Sequence, residues 1–280
     1  AAAVTASGCA PGADSDHRGD DAPSAGELPT RPRTAWVFSS GGPRGFVHVG
    51  VLKGLAELGL APDVVLGASV GALIGVLYAG GRSAADIEAL ALAMQPWQSV
   101  GVTLGGDRWL SNGPLAGFVR EQARAERFEQ LPLPAVCVAQ RLGGDIVGLN
   151  RGDLGLAVRA ACAIEGRFNP VRIRGERLVD ADLHMPLPVR LARQLGATRV
   201  LAVDASAHED RAPDGAQRYR DGDLHKRELT RPDAELADVL LHPDFGYWVS
   251  LSQEFRLRAI EAGYRAVLAA EAPLRALHAA

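Results

Sequence analysis

Several features that define whole classes of proteins are scarce in this sequence of 280 residues. Three cysteines are too few for a disulfide framework, and their spacing matches no zinc-ligand pattern. No run of about twenty apolar residues occurs, so the sequence predicts no membrane-spanning segment. The formal net charge is only −3, and basic and acidic residues are intermixed, which gives no reason to expect a nucleic-acid partner. We expect Cys137 and Cys162, which lie in apolar runs, to be buried thiols.

What the sequence does contain is typical of a globular α/β protein. Hydrophobic residues make up 47% and charged residues 22%, enough apolar surface for a sizeable core. From residue 34, short apolar runs alternate with segments of helical periodicity, which predicts a three-layer α/β/α domain over residues 34–206 with a mainly parallel central sheet. We predict strands at 35–38, 64–66, 135–139, 146–149, 171–173, 177–179 and 199–203, and helices at 45–58, 70–78, 154–163 and 189–195. Residues 207–234 are charged and aperiodic and predict a long surface loop, and residues 234–280 predict C-terminal helices that pack back on the domain.

The first 33 residues have a different character. The small residues that precede Cys9 resemble the tail of a bacterial lipoprotein signal peptide, which predicts a lipid anchor on Cys9 and a place in the cell envelope, facing the periplasm. The alternative is an unstructured start with an incidental cysteine on a soluble cytoplasmic protein. Residues 10–33 are rich in Pro, Gly, Ser and acidic residues, so we expect them to form a flexible tether.

A G-x-S-x-G pentapeptide stands between a predicted strand and a predicted helix, from Gly67 to Gly71 with Ser69 at its centre. A serine on such a sharp turn is lifted to the N-terminus of the helix, where the helix dipole favours the anion that forms on nucleophilic attack. The flanking glycines let neighbouring segments approach closely. Ser69 is therefore the candidate nucleophile, and the alternative is a tight turn with a capping serine.

A glycine-rich loop at residues 39–45 also follows a strand and opens a helix. It lacks both the dinucleotide-binding pattern and the Gly-Lys-Ser/Thr of a P-loop, so its exposed N–H groups favour an oxyanion hole. Since Pro43 has no N–H, the candidate donors are Gly41, Gly42, Arg44 and Gly45. The positive charge of Arg44 opposes the helix dipole, which suggests that its side chain either holds the loop or meets an anionic head group.

These motifs together resemble the patatin-like phospholipase family. The Gly-Gly-x-Arg-Gly loop, the Val49-Gly50-Val51-Leu52 stretch of the next helix and the G-x-S-x-G turn occur in the family's order. The family uses a Ser–Asp dyad whose Asp stands in an Asp-Gly-Gly or Asp-Gly-Ala motif, and the matching residue here is Asp180. The resemblance implies fatty-acyl ester substrates, phospholipid or neutral glycerolipid, a membrane surface as partner, and neither a metal nor any other cofactor.

The chain departs from the family pattern at two positions. Ala181 follows Asp180 where the family has Gly, and Ser40 stands at the first glycine of the loop. Neither departure removes a catalytic side chain. Both affect the geometry of the loops around the site. They motivate a rival hypothesis, a non-catalytic lipid-binding or envelope-scaffold protein with a degenerate site.

The candidate base needs a raised pKa, because a free Asp is a weak base at neutral pH. We expect Val179, Leu183 and the apolar helix after Ser69 to enclose Asp180 and to raise its pKa by burial. The histidines offer an alternative. His184, four residues after Asp180, is the rival base of a Ser-His-Asp esterase. We expect His48 to be structural, and His208, His225 and His242 to be solvated.

Overall fold

The computed structural model describes residues 15–95, 101–102 and 110–279. Cys9, the predicted lipid-anchor site, lies outside the described residues. The strands are β1 Thr34–Phe38, β2 Val64–Ala68, β3 Gly101–Val102, β4 Leu110–Ser111, β5 Ala135–Arg141, β6 Ile146–Leu149, β7 Val171–Ile173, β8 Glu176–Asp180, β9 Arg199–Val203 and β10 Val239–Leu241. The helices are α1 Phe46–Glu57, α2 Val70–Ala79, α3 Ala84–Ala93, α4 Gly113–Ala123, α5 Leu154–Ala161, α6 Val189–Gln194, α7 Gln217–Ala234, α8 Gln253–Ala269 and α9 Glu271–His278. Short 3-10 turns occupy Gly42–Gly45, Phe128–Gln130, Ala181–Leu183 and Glu209–Arg211.

One eight-stranded sheet forms the centre of the fold. Its strand order is β10-β9-β1-β2-β5-β8-β7, and β6 pairs with β5 as well. The strands from β10 to β5 are parallel, whereas β6, β7 and β8 pair in antiparallel fashion. The separate pair β3–β4 is antiparallel. The predicted α/β class with a mainly parallel central sheet is thus confirmed.

The layers follow from the alternation of side chains along each strand. In β1, Trp36 and Phe38 belong to the large core shared with α1, α2, α4, α5 and α8, whereas Ala35 and Val37 belong to a second core under α6. All five residues of β1 are buried, as expected for a parallel strand that is covered on both faces. The protein is therefore a three-layer α/β/α structure.

Three regions differ from the sequence prediction. The aperiodic stretch 207–234 was predicted to be a loop, but residues 217–234 form α7, a helix whose residues are mostly exposed. The sheet also extends past residue 206, because β10 pairs with β9. The N-terminal stretch from residue 15 lies along the domain, where His17 pairs with Ile173 and Ala22 is buried, so this part of the predicted tether is fixed. Helices α3 and α4 were not predicted.

Helix α8 packs on α1 through glycines. A Cβ atom on Gly50 of α1 would lie 1.7 Å from the Ile260 carbonyl oxygen, and a Cβ on Gly263 of α8 would lie 2.1 Å from the Val47 carbonyl oxygen. The two backbones therefore approach at distances that only glycine allows. Helix α8 thus packs closely on α1.

Candidate active site

Ser69 occupies a strained turn between β2 and α2. Its φ is 52° and its ψ is −124°, a conformation that non-glycine residues rarely adopt. Ser69 is the N-cap residue of α2, yet its side chain makes no capping hydrogen bond, so the hydroxyl is available at the helix N-terminus. A Cβ on Gly67 would lie 2.2 Å from the Gly71 carbonyl carbon, and a Cβ on Gly71 would lie 2.3 Å from the Phe38 carbonyl oxygen. At both positions a side chain would overlap backbone atoms, so only glycine fits.

The sheet brings Asp180 to the same place. Ala68, which precedes the serine, is paired with Val138 of β5, and Asp180 is paired with the next residue, Ala139. Strand β6 pairs with residues of β5 that also pair with β2 or with β8, so β6 must occupy the opposite edge of β5 from both. Strands β2 and β8 therefore lie end to end along the same edge of β5. Their carboxyl ends face each other there, because β2 is parallel to β5 and β8 is antiparallel to it. Ser69 and Asp180 are thus brought together by pairing along β5, although they stand 111 positions apart in the sequence.

The Asp180 carboxyl is buried and incompletely bonded. Its side chain is 3% exposed, and its Oδ1 accepts a hydrogen bond of 2.9 Å from the Asp182 backbone N–H. Its Oδ2 is buried and accepts no hydrogen bond within the described part of the chain. The Ser69 hydroxyl lies beside the carboxyl and affects its pKa, although no aligned hydrogen bond reaches Oδ2. Oδ2 therefore remains free to accept a proton from the serine, and contacts of this kind often tighten only when substrate binds.

Burial dominates the electrostatics of Asp180. Desolvation raises the pKa of this carboxyl to about 7, while the Ser69 hydroxyl, the nearest side-chain donor, opposes the rise. Asp182 raises the pKa further, and Lys226 lowers it. The predicted mechanism of burial is present, but Leu183 was wrongly assigned to the enclosure, because its side chain is 52% exposed. A carboxyl with a pKa near 7 is matched to base catalysis at neutral pH.

The glycine loop lies against the serine turn. A Cβ on Gly45 would lie 2.4 Å from the Val70 side chain, which places this loop directly over the start of α2. Among the four candidate oxyanion donors, the Arg44 N–H is already used, because it donates to the Gly41 carbonyl oxygen at 3.0 Å. No hydrogen bond given for the described residues uses the N–H of Gly41 or Gly42. The Arg44 N–H is thus engaged within the loop, whereas Gly41, Gly42 and Gly45 stay predicted donors.

The Arg44 side chain holds neighbouring loops in place. It is 6% exposed, its Nε donates to the Ala205 carbonyl oxygen at 2.8 Å, and one terminal nitrogen donates to the carbonyl oxygens of Gly246 and Tyr247. The guanidinium also lies 4.2 Å from the centre of the Phe245 ring. Of the two roles predicted for Arg44, the loop-holding role is the one that these contacts perform.

An apolar cavity of about 330 Å³ opens at Ser69. One wall is α2, and others come from α3, α4 and the loop before α8. Its lining side chains are almost all apolar, among them Leu73, Ile74, Leu77, Ile87, Leu115 and Phe118. Gly42, Pro43 and Gly45 of the glycine loop line the same cavity, so the candidate oxyanion donors and the serine share one space.

The histidines lie apart from this arrangement. His48 is buried in α1 with its Nε2 2.9 Å from the Ser39 carbonyl oxygen, and burial lowers its pKa to about 4, which fits the predicted structural role. His184 is exposed and lacks the buried contact with Asp that a triad histidine makes. His225 is solvated as predicted, but His208 and His242 are half-buried and stacked, with ring centres 3.8 Å apart.

Cys162 was not predicted at the site. Cys137 is fully buried as expected, whereas Cys162 is only half-buried and lines the cavity. Burial, reinforced by the nearby Asp180 carboxyl, raises the pKa of its thiol, and the Ser69 hydroxyl contacts it. Cys162 is therefore a neutral thiol in the wall next to the candidate dyad. Its position at the end of α5 carries no motif that the sequence could have displayed.

The fold and the site together define a class: α/β proteins with a strained G-x-S-x-G serine, a facing Asp and an apolar cavity. A model of the patatin-like phospholipase family matches residues 36–193, more than half of the chain. The chain therefore belongs to the patatin-like phospholipase family. No helix within the described residues has the length and apolar composition needed to cross a membrane.

The relatives that this chain matches are longer proteins. An uncharacterized NTE family protein of Mycobacterium tuberculosis is 31% identical over 187 residues, which cover 64% of this chain and 50% of that protein. Human patatin-like phospholipase domain-containing protein 6 is 28% identical over 187 residues, covering 63% of this chain and 14% of that protein. The crystal structure of VipD from Legionella pneumophila superposes with a TM-score of 0.48 at 14% identity, over 92% of this chain and 70% of that chain. The chain thus spans about half the length of its mycobacterial relative.

Proposed function

We propose that the protein is a serine acyl hydrolase that cleaves fatty-acyl ester bonds of phospholipids or related lipids. The observation that carries the proposal is the meeting of Ser69 and Asp180 at the facing ends of β2 and β8, beside an apolar cavity. A strained serine at a helix N-terminus and a buried carboxyl with a pKa near 7 supply a nucleophile and a base.

The reaction follows from these positions. The Ser69 hydroxyl oxygen attacks the ester carbonyl carbon while Asp180 Oδ2 accepts the hydroxyl proton. The N–H groups of Gly41 and Gly42 hold the oxyanion of the tetrahedral intermediate, and each such donor contributes roughly 3 kcal/mol in related enzymes. The intermediate collapses as the alcohol leaves with the proton from Asp180. Water, deprotonated by Asp180, then attacks the acyl-enzyme, and the fatty acid leaves as Ser69 regains its proton.

The cavity supports a long acyl chain as the group that binds. Its volume of about 330 Å³ and its apolar lining match a hydrocarbon chain, which has no polar atoms to satisfy. Helix α2 lines the cavity from its first residue, which follows Ser69. An acyl chain that fills the cavity therefore presents its ester group to Ser69. This arrangement favours fatty-acyl esters over short esters.

Turnover of matched esters tests the proposal. We expect fatty acid release from a long-chain phospholipid in mixed micelles, with kcat/KM at least ten-fold above that for a two-carbon acyl ester, because apolar burial grows with each methylene. Release is expected to fall to background in Ser69→Ala. Equal turnover of both esters would contradict the acyl-chain assignment, and release that persists in Ser69→Ala would contradict the nucleophile.

The lipid surface itself is the proposed partner. Trp248, Val249 and Leu251 are exposed in the loop before α8, and Leu251 also lines the cavity. Trp248 packs edge-on against Tyr219, whose ring lies under the Arg218 guanidinium. Exposed aromatic and aliphatic side chains beside a cation are typical of surfaces that rest on a membrane interface. The acyl anchor that we propose on Cys9 would hold the domain near the same kind of surface.

A further inference from the structure

Ser40 joins the glycine loop to the segment that carries the candidate base. The residue is fully buried, and its backbone N–H donates to the Pro186 carbonyl oxygen at 2.8 Å. Its hydroxyl donates to the Asp182 carboxylate. Ser40 is one of the two departures from the family pattern, and Asp182 directly follows the other, Ala181. The hydroxyl that replaces a loop glycine therefore binds the turn that follows the candidate base.

Asp182 connects three groups around the site. Its backbone N–H donates to Asp180 Oδ1 at 2.9 Å, and its carboxylate accepts from Ser40 and from Lys226, whose Nζ lies 2.6 Å from Oδ1. Burial opposes ionisation of Asp182, but Lys226 and Ser40 outweigh it and lower the pKa of this carboxyl. Asp182 therefore stays ionised at neutral pH beside a base whose pKa is raised to about 7.

Lys226 reaches this carboxylate from α7. The helix is attached by polar contacts: buried Asp233 accepts a hydrogen bond of 2.9 Å from Arg190, and Asp223 accepts one of 2.5 Å from the Tyr247 hydroxyl. Lys226 has a side chain that is only 21% exposed, so its charge acts where water screens it weakly. It is the link between α7 and the two catalytic loops.

We propose that Ser40, Asp182 and Lys226 form a positioning network that fixes the glycine loop against the Asp180 turn and sets the charge balance beside the base. The inference rests on the proposed function, since it concerns the same Ser69 and Asp180. Among the described residues, the side chains of the three bond to neither Ser69 nor the Asp180 carboxyl, and only the Asp182 backbone N–H reaches Oδ1. They act through the glycine loop and the Asp180 turn.

The network predicts opposite electrostatic effects for its two charged members. The groups that face the Asp180 carboxyl are the Ser69 hydroxyl from the start of α2, the Cys162 thiol from the end of α5, Asp182 from its own turn and Lys226 from α7. Of these, Asp182 disfavours the ionised base and Lys226 favours it. Loss of the Lys226 charge should raise the pKa of the base, and loss of the Asp182 charge should lower it.

The test is the pH dependence of the rate at which a fluorophosphonate labels Ser69. In the wild type, the rate should rise with pH as the base ionises. We expect Lys226→Met to move the midpoint to higher pH by about one pH unit and Asp182→Asn to move it to lower pH by a similar amount. Asp182→Asn keeps an oxygen that can accept from Ser40, so the loop contact is retained. Lys226→Arg should restore the wild-type midpoint.

The loop contact has its own variant and control. Ser40→Ala removes the hydroxyl bond to Asp182 and should lower the maximal labelling rate about ten-fold, because misplaced groups lose catalytic power steeply. Arg231→Met removes an exposed cation from the same helix and should leave both midpoint and maximal rate unchanged.

Three results would overturn the charge balance, the loop positioning or the proposed function, respectively. If folded Lys226→Met and Asp182→Asn move the midpoint in the same direction, or not at all, the network does not set the charge balance. If Ser40→Ala labels at the wild-type rate, the network does not position the loop. If the wild type itself shows no labelling that depends on Ser69, the proposed function fails, and this inference with it.

Discussion

Ser69 and Asp180 each destabilise the folded protein locally, Ser69 by backbone strain and Asp180 by burial of its carboxyl, and the rest of the fold compensates for this. Ser69 holds a φ of 52°, a conformation that costs of order 1–3 kcal/mol for a residue with a side chain. Asp180 places a carboxyl where burial opposes its charge. Such costs cluster at functional sites, because the same burial that destabilises the charged carboxylate also makes it a stronger base.

The buried carboxyl predicts a stability gain for Asp180→Asn that depends on pH. The pKa is about 7 in the folded protein, compared with 3.8 for the free side chain, so the folded state keeps a proton that the unfolded chain has lost. The stability of the wild type should therefore fall as pH rises between about 4 and 7 on account of this group. At pH 8 the variant should gain up to roughly 4 kcal/mol in the free energy of unfolding relative to the wild type, with little gain at pH 4.

Urea denaturation of both proteins at the two pH values measures this difference. The wild type is its own control for every other titrating group, because those groups are common to both proteins. An equal difference at pH 4 and pH 8 would show that the Asp180 carboxyl titrates normally, and the assignment of the base would lose its physical support.

At the scale of elements, the contact between α1 and α8 fixes the helix that follows the glycine loop. Gly50 and Gly263 let the two helices touch backbone to backbone. Gly54 of α1 similarly faces Val267, whose Cβ would lie 2.7 Å from an added Cβ. Helix α8 thus supports α1, and with it the loop that carries Gly41 and Gly42.

Gly50→Ala should destabilise the protein strongly. The added methyl would overlap the Ile260 carbonyl oxygen, a backbone atom that moves only if α8 shifts, and overpacking of this kind costs about 3 kcal/mol or more. Gly117→Ala, at an exposed position of α4, is the matched control, because within 4 Å the new Cβ would meet no described atom beyond the backbone of its own helix. It should stabilise the helix by about 0.5–1 kcal/mol. Thermal unfolding of both variants and of the wild type measures these changes in stability. A Gly50→Ala protein as stable as the wild type would contradict the close contact between α1 and α8.

The sequence predicted those elements that are periodic or continuously apolar. Strand β1, helix α1, strand β2 and helix α2 were all expected within a few residues of their observed bounds, because each buries one or both faces in the core. Helix α7 escaped prediction because polar contacts hold it, as between Asp233 and Arg190, and polar contacts leave no apolar repeat in a sequence. Strand β10 has only three residues, too few to show a pattern.

At the scale of the molecule, the site combines segments that are far apart in the chain. Motifs and the family resemblance located Ser69 and Asp180, but only the sheet register explains why they meet. The network of Ser40, Asp182 and Lys226 was beyond sequence reasoning, since its bonds join residues 142 and 44 positions apart. The only hint of this network in the sequence was Ser40, which stands where the family has glycine. The sequence alone did not indicate which residue its hydroxyl binds.

The proposed lipid surface makes a prediction about the whole molecule. Replacing Trp248 and Val249 together with Ser should weaken co-sedimentation with phospholipid vesicles at least ten-fold, because each exposed apolar side chain contributes about 1–2 kcal/mol when a lipid surface buries it. Leu236→Ser removes an apolar side chain that is 43% exposed and does not line the cavity, and this variant should bind vesicles normally. Hydrolysis of a monomeric soluble ester should be unchanged in both variants. Equal vesicle binding by both would place the membrane-facing surface elsewhere.

The central claim, an activated Ser69 served by Asp180, is tested most directly by fluorophosphonate labelling at pH 8. The wild type, Ser69→Ala and Asp180→Asn are compared as folded proteins, with His184→Ala as the control for a histidine base. The account predicts rapid labelling of the wild type and of His184→Ala, none of Ser69→Ala, and labelling of Asp180→Asn reduced at least a hundred-fold. Labelling that survives in Asp180→Asn but disappears in His184→Ala would contradict the dyad, and a folded wild type that resists labelling would favour a non-catalytic lipid-binding protein.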